Sequence, residues 1–78
     1  MSMNNIISQN LRRIRLAKGL SQQKVADGAG ISRIAYRNIE NYGAEPKVNT
    51  LINIAKALDV RLLDVVEKPR KLTKVKFN

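Results

Sequence analysis

Two serines and a glycine, Ser21, Gly30 and Ser32, constrain this chain more than any other feature. They punctuate the stretch LSQQKVADGAGISRIAYRNIEN, from Leu20 to Asn41. A serine hydroxyl can accept a backbone N–H left unpaired in the first turn of a helix, so Ser21 and Ser32 each predict a helix start. Val25, Ala26 and Ala29 follow Ser21 at helical spacing and supply a small apolar face. Gly30 stands where a chain leaving a helix often needs positive φ. Ile31 turns back to the core. After Ser32, Tyr36 and Ile39 lie three apart on one face, and Arg33, Ile34, Arg37 and Asn38 fall on another. The stretch reads as two short helices joined by a tight turn. The second has an apolar face inward and two arginines and an asparagine outward, which suits insertion into a DNA groove.

The flanks read as helices too. Ile7, Leu11, Ile14 and Ala17 mark the stripe of a first helix ending at Lys18-Gly19, with Met1 to Asn4 frayed ahead of it. Arg12 and Arg13 interrupt that stripe as a solvated face. Residues 42–47, YGAEPK, form a loop punctuated by Gly43 and Pro46. Val48 starts a further helix, on which Leu51, Ile54, Ala55 and Leu58 form a buried stripe. Asp59-Val60-Arg61 is a short link, after which Leu62, Val65 and Val66 start a last short helix. Pro69 ends any helix. Beyond it, Val75 and Phe77 alternate with Lys74 and Lys76, and three readings stay open: a basic tail, a strand pairing across a dimer, or a linker. The expected division is a domain over residues 1–66 and a tail, linker or dimer strand over 67–78.

Charge narrows the partners. Lys and Arg number 15 against 6 Asp and Glu, a net charge of +9, which points to nucleic acid or an anionic membrane surface. A membrane-surface protein would carry its cations on an amphipathic helix with a bulky apolar face, and here they are spread over the chain. No apolar run approaches a membrane span, and the N-terminus lacks the form of a secretion signal, so a cytoplasmic protein is expected. Cysteine and histidine are both absent, which removes disulfides, thiolate metal sites and the commonest bases and nucleophiles. Gly28-Ala29-Gly30 lacks the strand and the Lys-Ser/Thr of a phosphate loop. Neither an enzyme nor a metal or cofactor site is expected.

The outward residues have base-matching chemistry. Arg33 can donate two parallel hydrogen bonds to guanine, and Asn38 can pair bidentately with adenine. Ile34 can meet a thymine methyl, although a lone surface isoleucine is common. Arg37 can reach a base or a phosphate. Gln22 opens a helix where backbone N–H groups favour an anion. Asn41, Tyr42 and Lys47 flank the other side.

The chain resembles the lambda-repressor-like helix-turn-helix family, the XRE-type group of phage repressors, Cro proteins and bacterial relatives. Leu20-Ser21-Gln22, Val25-Ala26, Gly30-Ile31-Ser32 and Ile39-Glu40-Asn41 carry the likeness, with Pro46, Leu51, Ile54-Ala55, Leu58 and Val60 downstream. It departs at Gly28, where a helix former is usual, at Tyr36, usually Ile or Val, and at the Asn41-Tyr42-Gly43 ending. The resemblance implies an all-α, five-helix DNA-binding domain with helices 2 and 3 as the helix-turn-helix. Its recognition helix, about residues 32–40, would lie in the major groove. Arg33, Ile34 and Asn38 would read bases, joined by Arg37. Gln22, Asn41 and Lys47 would hold the backbone, with Ser32 and Tyr42 beside them. Arg15 would pair with Glu40 as scaffold. Leu62, Val65, Val66 and Phe77 are the expected dimer contacts. The implied function is sequence-specific transcriptional regulation, by a repressor or Cro-like homodimer on a pseudo-palindromic operator of double-stranded DNA. The alternatives are an antitoxin with a toxin partner, a protein-interaction module on the same scaffold, or the N-terminal fragment of a longer regulator.

Overall fold

In the computed structural model, which describes residues 3–69, the chain forms α1 (Met3–Ala17), α2 (Gln22–Ala29), α3 (Arg33–Tyr42), α4 (Val48–Leu58) and α5 (Leu62–Val66). Among the described residues there is no strand. The five-helix, all-α expectation holds.

The punctuation works as its chemistry requires. Ser21 Oγ accepts the Lys24 N–H at 3.0 Å and Ser32 Oγ accepts that of Ala35 at 3.0 Å. Each cap stabilises its helix by about 1 kcal/mol. Gly30 sits at φ 74°, and the Ile31 N–H returns to the Ala26 carbonyl at 3.0 Å. That bond closes the end of α2 and aims the chain into α3.

The core is drawn from every helix. Leu11, Val25, Tyr36, Ile54, Leu58 and Val65 are its largest fully buried apolar side chains. α2 packs on α3 and α4, while α1 packs on α3 and α5, so α1 and α4 brace the α2–α3 pair. Gly28 is explained by this packing. A Cβ built there would lie 2.9 Å from Ala57 Cβ, so only glycine lets α2 approach α4 this closely. Asn10 ties α1 to α5. Its buried amide donates to the carbonyls of Val65 at 2.7 Å and Glu67 at 2.8 Å, satisfying acceptors that a helix end leaves open.

Four expectations change. α1 begins at Met3, so the frayed segment does not extend through Asn4. Ala17 is exposed: α5 is only five residues long and leaves an open groove lined by Ile14, Ala17, Val60 and Leu63. α3 continues through Tyr42, so the recognition helix outruns residue 40 and the loop spans 43–47. The stop is Gly43, at φ 69°, whose N–H closes on the Asn38 carbonyl. Val65 is fully buried in its own protomer and cannot serve as a dimer contact. Its side chain belongs to the core and its carbonyl accepts from Asn10 on α1, whereas Leu62 and Leu63 on the same helix are exposed. The expected strand and Phe77 lie outside the described residues.

Candidate nucleic-acid interface

The two faces of α3 have opposite fates. Tyr36, Ile39 and Glu40 are buried. Arg33 and Ile34 are exposed, the latter at 58%, and Arg37 and Asn38 are half-buried. The Arg37 guanidinium lies 5.8 Å from the centroid of the Tyr42 ring, within cation–π range. Its Nε is sequestered without a hydrogen-bond partner. Tyr42 itself is 70% exposed.

Beneath this face lies a polar knot centred on Glu40. Arg15 Nε donates to Glu40 Oε1 at 2.8 Å and Arg15 Nη2 to Oε2 at 2.9 Å, a bidentate pair. Arg15 Nη1 also donates to the Leu20 carbonyl at 2.7 Å, which ties the α1–α2 turn into the knot. The Glu40 side chain is fully buried and that of Arg15 is 12% exposed, so the pair is desolvated. Burial opposes the charged carboxylate, but the Arg15 guanidinium, with Gln22, outweighs it and holds the Glu40 carboxyl below its ordinary value. The hydrogen bond to Glu40 raises Arg15 in turn. Burial, and then the nearby Glu40, push the Tyr36 phenol well above its usual range. The Tyr36 hydroxyl has no hydrogen bond of good geometry.

The rim grows from the same knot. Gln22 Nε2 donates to Glu40 Oε2 and to Asn41 Oδ1, each at 3.2 Å, which spends both of its amide hydrogens. An anion at the start of α2 would therefore meet the backbone N–H groups there and not the Gln22 side chain. Asn41 is exposed, and its Oδ1 accepts from Gln22 and from Arg12 Nη2, the latter at 3.0 Å. With its oxygen occupied, its Nδ2 group is left to donate outward. Ser32 is exposed beside its cap bond, and Lys47 is exposed at the N-cap of α4.

Arg12 was not among the residues expected at this site. Its Nε also lies 3.5 Å from Glu40 Oε2. Arg13, its neighbour in sequence, turns to the other flank of α1 and donates to Asn10 Oδ1 at 3.2 Å. The available signal was the i, i+3 relation of Arg12 to Arg15, which sets both on one flank of α1. No group of His, Cys, Asp and Glu among the described residues is placed to hold a metal. No helix there is long and apolar enough to cross a membrane.

Comparison with known proteins bears on the fold and the family. The helix-turn-helix family profile matches residues 11–65. The HTH-type transcriptional regulator YqaE of Bacillus subtilis is 47% identical over 57 residues, which cover 73% of this chain and 49% of that one. The SPbeta prophage-derived regulator YonR of the same organism is 38% identical over 70% of this chain and 51% of its own length. The chain thus spans about half of these two relatives. Among solved structures, the restriction-modification controller protein C.AhdI from Aeromonas hydrophila superimposes with a TM-score of 0.75 at 29% identity, over 80% of this chain and 94% of that one. A mutant of the controller protein C.Esp1396I, bound to its highest affinity operator site, gives 0.73 at 27% identity over 76% and 78%. With a family profile over most of its length and relatives described as HTH-type transcriptional regulators, the chain belongs to the helix-turn-helix family.

Proposed function

We propose that this protein binds double-stranded DNA sequence-specifically, with α3 in the major groove, and regulates transcription as a homodimer on a pseudo-palindromic operator. Arg33 reads guanine, Asn38 reads adenine, and Ile34 packs on a thymine methyl. Arg37, stacked toward Tyr42, reaches a base or the adjacent backbone. Ser32, Asn41, Tyr42, Lys47 and the backbone at Gln22 hold phosphates on either side. The Arg15–Glu40 pair keeps α3 in register with α1. One α3 covers only a few base pairs, so a dimer reading half-sites about 10 bp apart supplies the missing discrimination. Leu62 and Leu63, with the half-buried Val66, are its contacts. Such a protein works by binding and not by catalysis, in the compartment that holds the DNA, the cytoplasm.

The observation that carries this reading is the exposed Arg33–Ile34 pair beside Arg37 and Asn38, on a helix whose opposite face is locked in the core. The test is selection of bound duplexes from a random pool. Enrichment of a two-fold related sequence is expected. A pool that stays random through successive rounds refutes sequence-specific binding.

A further inference from the structure

Two guanidiniums face one carboxylate in the knot beneath α3. Arg15 takes Glu40 bidentately at 2.8 and 2.9 Å, while Arg12 stands off at 3.5 Å. The three charges sum to one surplus positive charge. It resides on Arg12, whose side chain is 55% exposed against 12% for Arg15. Arg12 is nonetheless not loose, because its Nη2 is hydrogen-bonded to Asn41 Oδ1 at 3.0 Å. An exposed contact of this kind adds little to stability. Its physical effect is to hold a charged fork in one place, which lowers the entropy lost when that fork meets an anion.

We propose that Arg12 is a DNA-backbone contact, held by Asn41 so that its guanidinium and the Asn41 Nδ2 group grip one phosphate together. Neither residue reads sequence there. The planar fork suits phosphate oxygens, and Asn41 cannot turn its oxygen toward the anion while Arg12 and Gln22 both donate to it. The contact extends the DNA surface from the helix-turn-helix onto α1. It rests on the DNA-binding reading above.

The test is a KCl titration of duplex binding by fluorescence anisotropy, using a short mixed-sequence duplex. A phosphate contact is indifferent to sequence, so no operator is needed. For Arg12→Gln the slope of log K against log salt should fall by about 0.9, the value of one lost phosphate contact. Its melting temperature should stay within a few degrees of wild type. Arg13→Gln removes the same charge from the other flank of α1 and should keep the wild-type slope. Arg12→Lys should keep the slope but bind more weakly, since one ammonium cannot serve Asn41 and a phosphate in the same geometry. A wild-type slope in Arg12→Gln overturns the proposal alone. So does an equal loss in Arg13→Gln, which would mean a diffuse charge effect. An Arg12→Gln protein that melts below the assay temperature assigns Arg12 to the scaffold and overturns it as well. If the wild-type chain binds no duplex, the DNA-binding reading fails and the contact falls with it.

Discussion

Glu40 is the residue on which most of the site depends. It is a fully buried carboxylate, and removing one partner of such a pair leaves the other charge stranded. The cost is about 3–5 kcal/mol, against under about 1 for an exposed pair. For a domain of this size each kcal/mol moves the melting temperature by about 4–8 °C. Glu40→Gln and Arg15→Met should therefore each melt at least about 12 °C below wild type. Wild-type melting in both would show that the pair does not hold α1 to α3. The pH dependence follows from the depressed Glu40 carboxyl. Its stabilisation is fully present above the unfolded-state value of about 4.3 and is lost as pH falls through the lower folded-state value. Wild type should thus lose stability on acidification more steeply than Glu40→Gln, which has no carboxylate to protonate there. Parallel melting curves against pH would contradict this.

At the scale of the element, α3 is the proposed reader, mounted on two braces. Arg33 is exposed on its outward face and makes no hydrogen bond or ion pair among the described residues, so truncation should leave stability nearly intact. Arg33→Ala is expected to cost about 1–3 kcal/mol on the selected operator and little on scrambled DNA. Equal weakening on both would mean that this helix holds without reading. The brace formed by α4 depends on close approach at Gly28. An alanine there gains roughly 1 kcal/mol of helix propensity. It also drives a methyl into Ala57 Cβ, which is fixed to the backbone and cannot swing aside. Overpacking of this kind costs about 1–3 kcal/mol, so Gly28→Ala should be net destabilising in chemical denaturation. Adding Ala57→Gly should recover part of the loss. A Gly28→Ala protein more stable than wild type would show that α4 yields.

For the whole molecule, the question is what covers α5. Leu62 and Leu63 are 37% and 53% exposed on a helix whose third apolar residue, Val65, is spent in the core. A two-fold partner placed there would give the proposed dimer, whose two copies of α3, one from each chain, would read half-sites about 10 bp apart. Leu63→Lys puts a charge in that surface and should shift the chain toward monomer in sedimentation equilibrium, with DNA affinity lowered and the fold unchanged. A wild-type chain that stays monomeric at high protein concentration and on DNA would reject the dimer. So would a Leu63→Lys variant that associates as tightly as wild type.

Local chemistry alone determined the number of helices and most of their limits. A serine hydroxyl caps the turn that follows it, a glycine accepts positive φ, and an apolar stripe at helical spacing needs a partner. These properties belong to residues a few positions apart, so Ser21, Gly30, Ser32 and the stripe from Leu51 to Leu58 were legible without coordinates. The outward set on α3 was legible for the same reason, since helical periodicity decides which residues share a face. The tertiary structure decided what lies between distant segments. Arg12 and Arg13 are the same residue type side by side, and only the placement of α3 on one flank of α1 and α5 on the other separates them. Val65 reads as a contact residue until the packing of α5 on α1 and α4 buries it, and Gly28 reads as a weak helix position until Ala57 comes within 2.9 Å of where its Cβ would be. Burial and electrostatic pairing depend on which atoms the fold brings together: spacing along one helix shows that Arg12 shares a flank with Arg15, but not what that flank meets.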